Sequence, residues 1–169
     1  MVVWITGLSG SGKTTVAKYI IKKSIDTHPN MVMLDGDVVR ELFNNDLGHE
    51  QKDRIVQIKR LQNLSLFLEK QNQIVIVSAL YSSPQLLKWN RRNFKNYFEI
   101  FLNAPLEVVK KRDPKMIYKN YNLGKEKNIV GIDIAWHKPK NPDIEIKIKQ
   151  STSLEEIMDL ILKKLTFYE

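Results

Sequence analysis

Residues 2–6, Val-Val-Trp-Ile-Thr, form an unbroken β-rich run too short for a helix, and Gly7, Gly10 and Gly12 follow at once. An apolar run closed by glycine predicts a buried strand. Val16, Ile20 and Ile21 then recur at helical spacing to about residue 25, where His28-Pro29-Asn30 breaks the pattern. The alternation continues. Residues 31–34 read as a second buried strand, and 51–69 as a long amphipathic helix, with Ile55, Ile58, Leu61, Leu64 and Leu68 three or four apart. Strands at 73–79 and 97–102 enclose a helix at 84–93, and a short helix at 105–112 carries Pro105 in its first turn. Residues 113–142 show no periodicity, are rich in Lys and Asn, and hold Gly124 and Gly131. In a compact domain such a stretch predicts either a functional lid or disorder. Residues 143–148 alternate as a strand, and Leu154, Ile157, Ile161 and Leu165 mark a terminal helix face.

Strictly alternating strands and helices predict an α/β fold, a doubly wound parallel five-stranded sheet, because parallel strands need crossover connections. Ligands then bind beyond the carboxyl ends of the strands, so the loops after Thr6, Leu34, Ala79 and Leu102 should share one rim. The 169 residues fit a single domain, and ordinary apolar and charged fractions of 43% and 27% argue against disorder, collagen and solenoid classes. The absence of cysteine removes disulfides, thiolate metal sites and a cysteine nucleophile. Apolar runs such as 74–77 are far too short to span a bilayer and no signal-like segment opens the chain, so no membrane association and a cytoplasmic location are expected. The net charge of +8 is unevenly placed: residues 85–140 hold thirteen Lys and Arg against five Asp and Glu, and the rest of the chain balances. That stretch is either a solvated basic face or a surface attracting polyanions.

The candidate chemistry begins at Gly7-Leu8-Ser9-Gly10-Ser11-Gly12-Lys13-Thr14, which matches G-x-x-x-x-G-K-[ST] between a strand and a helix. In this P-loop the glycines let backbone N–H groups turn toward phosphate oxygens, Lys13 bridges the terminal phosphates and Thr14 offers a hydroxyl to Mg²⁺. Asp35 and Asp37 end the second strand beside this cradle. Carboxylates there can hold Mg²⁺ through water or accept the proton of an attacking hydroxyl; alternatively they form an Asx turn and helix cap before Val38. Arg40, one turn further on, and Arg54, near the start of the long helix, suit an anionic acceptor held by forked hydrogen bonds, with surface ion pairs as the competing reading. His28, His49 and His137 are too scattered to form a metal site.

Taken together, GLSGSGKTT, LDGDVVRELFNNDLG, Asp53-Arg54, residues 78–82, FLNAPLEVVKKRDPKMIYK, Gly131-Ile132-Asp133 and Asn141-Pro142 resemble the adenylylsulfate kinases nearly end to end. The resemblance implies transfer of the γ-phosphoryl of ATP to the ribose 3′-hydroxyl of a small nucleotide acceptor, with Mg²⁺ and a mobile lid at about 113–142. It implies that Gly7, Ser9, Gly10, Ser11, Gly12, Lys13, Thr14 and Thr15 hold ATP, with Arg112 approaching the ATP side. Asp37 is implied as base or metal organiser, reaching Mg²⁺ through water, with Asp35 beside it. Ser82 matches a serine marked at the active site of that family. Arg40, Arg54, His49, Gln57, Ile129, Gly131, Ile132 and Asp133 fall at acceptor positions, and Lys115, Lys119, Lys125 and Lys127 would bring the basic excess over the phosphates. A homodimer is compatible with the resemblance.

The departures fall on the acceptor side. The family sandwiches adenine between two phenylalanines, one in L-G-F and one in G-F-T-G-I-D; this chain reads Leu47-Gly48-His49 and Asn128-Ile129-Val130-Gly131-Ile132-Asp133. Stacking a base on an aromatic ring is worth about 1–3 kcal/mol, so losing both phenylalanines weakens adenine binding unless His49 and another group replace them, and it implies a rebuilt pocket, in which Trp136 could serve as a lid aromatic. Gln57 stands where the family has asparagine, and Ser82-Ser83-Pro84-Gln85 replaces S-P-Y-R. The related cytidine diphosphoramidate kinases of bacterial capsule modification, whose acceptor carries a smaller pyrimidine, therefore fit better than adenylyl sulfate. Kinases of non-nucleotide metabolites and a nucleic-acid-binding module fit less well: the basic residues lack the interleaved aromatics of a single-strand platform, so no nucleic-acid partner is expected.

Overall fold

A computed structural model describes residues 1–165. Its five strands, β1 (Val2–Thr6), β2 (Met31–Asp35), β3 (Ile74–Ala79), β4 (Tyr97–Asn103) and β5 (Ile144–Lys147), form one parallel sheet in the order β2-β3-β1-β4-β5. β1 and β3 are buried along their whole length, which is why they read as unbroken apolar runs. Their register sets Thr6 beside Ala79 and Ile5 beside Ser78, so both strands end at one level.

The helices are α1 (Lys13–Ser24), α2 (Gly36–Leu42), α3 (Gln51–Lys70), α4 (Pro84–Asn93), α5 (Leu106–Arg112), α6 (Ile117–Asn122) and α7 (Leu154–Leu162). From β1 the chain crosses to the β2 edge, whereas from β3 it crosses the other way to β4. Right-handed crossovers in opposite directions put helices on opposite faces, and α1 accordingly packs with α7 while α3 packs with α4. The loops after β1 and β3 diverge from neighbouring strands and leave a crevice at their carboxyl ends.

Element positions follow the hydrophobic pattern closely, apart from the added seven-residue α2, which the sequence signals only as a cap before Val38, and three further differences. Pro105 is the N-cap of α5 instead of lying within its first turn. The face of α3 buries Ile58 and Leu61 as its spacing predicts, but also Arg54, Gln57, Gln62 and Ser65. Gln62 is accommodated by hydrogen bonds from its amide to the Leu86 carbonyl (3.0 Å) and to Asn90 Oδ1 (2.7 Å). The third difference is α6, inside the stretch without periodicity. Its six residues are too few to show a period, and its start is fixed by Asp113, whose carboxylate accepts from the Tyr118 and Lys119 N–H groups at 3.3 and 2.9 Å. No helix among the described residues is long and apolar enough to cross a membrane.

Candidate functional site

The loop between β1 and α1 curls through positive φ at Gly10 (79°) and Gly12 (99°), a region that side chains disfavour. It packs tightly underneath: a Cβ on Gly7 would stand 2.6 Å from the Leu102 carbonyl oxygen. Lys13 Nζ folds back over the loop to donate to the Leu8 carbonyl at 2.8 Å. Burial lowers its ammonium to about 8; Asp37 and Asp35 work against that shift, and Lys115 adds to it. Ser11 Oγ is buried in the loop with no hydrogen-bond partner among the described residues. Backbone amides, a lysine and an orphaned hydroxyl fit a polyphosphate.

β2 brings the two aspartates to the same rim, where they take different roles. Asp35 Oδ1 accepts from the Asp37 N–H at 3.0 Å, making it the N-cap of α2, and Asp35 Oδ2 accepts from Thr14 Oγ1 at 2.7 Å. It is thus both the cap and the neighbour of the loop hydroxyl, with Ser78 Oγ 3.4 Å from the same Thr14 oxygen. Asp37, on the first turn of α2, is exposed and pairs with Lys115, which reaches over from the α5–α6 turn. Thr14 thus meets Asp35 directly, whereas Asp37, expected beside Thr14 at the metal through water, is turned to Lys115. Among the described residues no group of three or more His, Asp or Glu side chains could hold a metal alone, so nucleotide phosphates and water would have to complete such a shell.

Arg40 and Arg54 stand on α2 and α3 beside this mouth. Arg40 donates to the Leu47 and Gly48 carbonyls at 3.1 and 3.0 Å; Arg54 donates to the His49 carbonyl at 3.0 Å and the Asn128 carbonyl at 2.8 Å. Neither forms a salt bridge with a carboxylate among the described residues. The ion-pair reading of these arginines therefore fails. Burial, then the repulsion of Arg40, lowers Arg54 to about 10 even with Asp133, Tyr81 and Asp37 opposing the shift. Two clustered like charges whose hydrogen bonds go to neutral carbonyls make a positive mouth, with Asp37 and Asp133 near it but not ion-paired to either arginine among the described residues. His49 lies in the same field: burial, Arg40 and Arg54 hold its imidazole below the usual histidine range.

The remaining predicted residues are spread around this mouth. Gln57 is buried and donates to the Gly36 carbonyl at 2.9 Å, bracing the Asp35–Asp37 turn. Asp133 folds its carboxylate onto the Asn128 and Ile129 N–H groups, closing the loop that contains Ile129, Gly131 and Ile132. Gly131 meets the phosphate loop, since a Cβ there would lie 3.0 Å from Leu8 Cδ2. Ser82 is buried and donates to the His137 carbonyl at 2.7 Å, so its hydroxyl clasps the 113–142 segment. Arg112 donates to the Lys149 carbonyl at 3.1 Å, next to β5. Trp136 packs on Phe101 and lines a groove of about 350 Å³ with Leu8, Pro105, Ile132, Ile134 and Lys138; Asp37, Arg40, His49 and Arg54 do not line it. Trp89 stacks edge-on against Phe94. Sequence reasoning missed the contact of Tyr118 with the phosphate loop and the part played by Ser78, neither of which any spacing signals.

The chain is similar to known proteins over nearly its whole length. The family model described as adenylylsulphate kinase matches residues 1–147. Over 97% of its length the chain is 36% identical to an adenylyl-sulfate kinase of Picosynechococcus, covering 92% of that protein. It is 34% identical to a cytidine diphosphoramidate kinase of Campylobacter jejuni, covering 97% of this chain and 95% of that one. The solved structure of a Mycobacterium tuberculosis APS kinase in complex with AMPPNP and APS superposes with a TM-score of 0.85 at 31% identity, covering 96% of this chain and 95% of that one.

Proposed function

This chain belongs to the adenylylsulfate kinase family, and from that premise we propose that it moves the γ-phosphoryl of ATP to the ribose 3′-hydroxyl of a nucleotide bearing an anionic tail, with cytidine diphosphoramidate as the preferred acceptor. That it is a kinase follows from the family; the acceptor and the hydroxyl are our reading. The observation that carries it is the positive mouth formed by Arg40 and Arg54, neither ion-paired to a carboxylate among the described residues, on the rim that holds Asp37 and the phosphate loop. An anionic tail complements those charges better than a neutral metabolite would.

In this reading the loop amides and Lys13 hold the triphosphate, and Arg40 and Arg54 bind the acceptor's tail. Asp37 receives or orients the hydroxyl proton once Lys115 turns to phosphate. Thr14 and Asp35 would hold Mg²⁺, which when bound neutralises charge on the phosphate oxygens. Catalysis is then mainly positioning and electrostatics, since the phosphoryl group spreads charge over its oxygens in the transition state. His49 and Ile129 occupy the positions of the family's aromatic plates, which favours a base other than adenine.

Adenylyl sulfate is the second reading, favoured by the identity to adenylyl-sulfate kinases. The test supplies γ-labelled ATP with each acceptor and locates the new phosphate by ³¹P NMR. The expected result is label on the 3′-oxygen, with kcat/KM for the cytidine nucleotide at least about tenfold above that for adenylyl sulfate, a margin of about 1.4 kcal/mol. The reverse preference would assign adenylyl sulfate, and label on neither would remove the reading.

A further inference from the structure

A loop that binds phosphate through its amides must hold its peptide planes the right way round, because the C=O and N–H of a trans peptide point in opposite directions. The peptide joining Ser9 to Gly10 is one of these. Gly10 has no side chain to fix the plane and sits at φ 79°. The Ser9 carbonyl, at the other end of that peptide, accepts a hydrogen bond from Tyr118 Oη at 3.1 Å.

Tyr118 is itself firmly seated. Its side chain is 2% exposed and belongs to the core cluster. Its backbone N–H is held by Asp113, whose own N–H bonds to the Val109 carbonyl at 2.9 Å. The turn between α5 and α6 abuts the same glycine: a Cβ on Gly10 would lie 3.3 Å from the Val109 carbonyl oxygen and 3.7 Å from Pro114 Cδ. Within this turn Asp113 and Met116 adopt positive φ of 22° and 55°, conformations that need support from their surroundings. The turn and Tyr118 therefore form a bracket around one peptide of the loop.

We propose that Tyr118 is a positioning residue, whose hydrogen bond to the Ser9 carbonyl holds the Gly10 N–H aimed into the phosphate cradle. Ser9 then contributes through its carbonyl, facing away from the nucleotide. Burial, with Asp113 adding to it, pushes the phenol up to about 12, so the group remains a donor throughout any ordinary assay range. The assignment rests on reading the loop as a triphosphate cradle.

The experiment compares the full chain with Tyr118→Phe, which keeps the ring and deletes only the hydroxyl. Binding of MgATP and of inorganic triphosphate is measured by calorimetry, KM is measured for ATP and for the acceptor, and melting is followed without nucleotide. Loss of one orienting hydrogen bond should weaken both polyphosphates roughly three- to tenfold, with acceptor KM unchanged and the melting temperature lowered by no more than about 2–4 °C. Faster hydrogen exchange at the Gly10 amide should accompany it. Equal polyphosphate affinity in the two proteins overturns the proposal and leaves the kinase reading intact. A fall shared equally by ATP and acceptor, with a melting temperature lowered beyond that range, shows a merely structural role and also overturns it. If the unaltered chain binds neither MgATP nor inorganic triphosphate, the cradle reading fails and takes this proposal with it.

Discussion

At the scale of single residues, Lys13 is the most informative titrating group. Its pKa of about 8 arises because burial removes water from the ammonium and Lys115 repels it, and the nearby aspartates compensate only in part. A bound polyphosphate places negative charge beside it and must raise the value. By linkage, affinity is then greatest and flat below pH about 8, where Lys13 is charged in both states, and falls by up to tenfold per pH unit above it. Calorimetry of ATP binding from pH 7 to 9.5, repeated in buffers of different ionisation enthalpy, should show that decline together with net proton uptake on binding. Lys13→Ala should flatten the profile and abolish turnover with the fold kept. A wild-type affinity that is constant to pH 9.5 would show that Lys13 does not meet the phosphates.

At the scale of elements, the site is an agreement between segments far apart in the chain. α3 ties the loop at His49 to the loop at Asn128 through Arg54, and the loop after β3 clasps His137 through Ser82. Gly131 adds a third tie by packing on Leu8, and its φ of 91° is a backbone conformation that side chains disfavour. Gly131→Ala would need both an unfavourable backbone and a shift of Leu8, and overpacking of this kind costs about 1–3 kcal/mol. The expected outcome is a melting temperature lowered by several degrees and a raised KM for both substrates. An unchanged KM would mean that this loop does not set the phosphate cradle.

These ties mark the boundary of what could be read from the sequence. β1, β3 and α3 were legible because burial writes itself as an apolar run or a helical period. The phosphate loop was legible because its chemistry is local. Asp35 takes the capping role that the sequence offers as one of two alternatives, and it also accepts from Thr14, a contact that no spacing signals. The bracket of Asp113 and Tyr118 was not legible, since it consists of one side-chain cap and one hydrogen bond spanning 109 positions. Nor was the ion pair of Lys115 with Asp37, because proximity across the rim leaves no periodic signature.

At the scale of the whole molecule, the charge excess acquires a location. The basic stretch from 85 to 140 includes the segment that crosses the rim, touching α2 at Asp37, the phosphate loop at Ser9 and α4 through Arg91, whose guanidinium meets the Asn141 carbonyl at 2.7 Å. Positive charge gathered around a cleft raises the local concentration of polyanions and is screened within about 8–10 Å at ordinary ionic strength. Lys125 and Lys127 are exposed on that segment, so they can act through this field without a structural role. Between about 0.05 and 0.5 M salt the Debye length falls from roughly 14 to 4 Å, and KM for ATP should rise several-fold while kcat holds. Lys125→Glu with Lys127→Glu should raise KM at low salt and shrink the salt dependence, leaving the melting temperature in place. A salt response identical to that of the unaltered chain would show that the basic excess is a solvated face and not part of how the nucleotide is gathered.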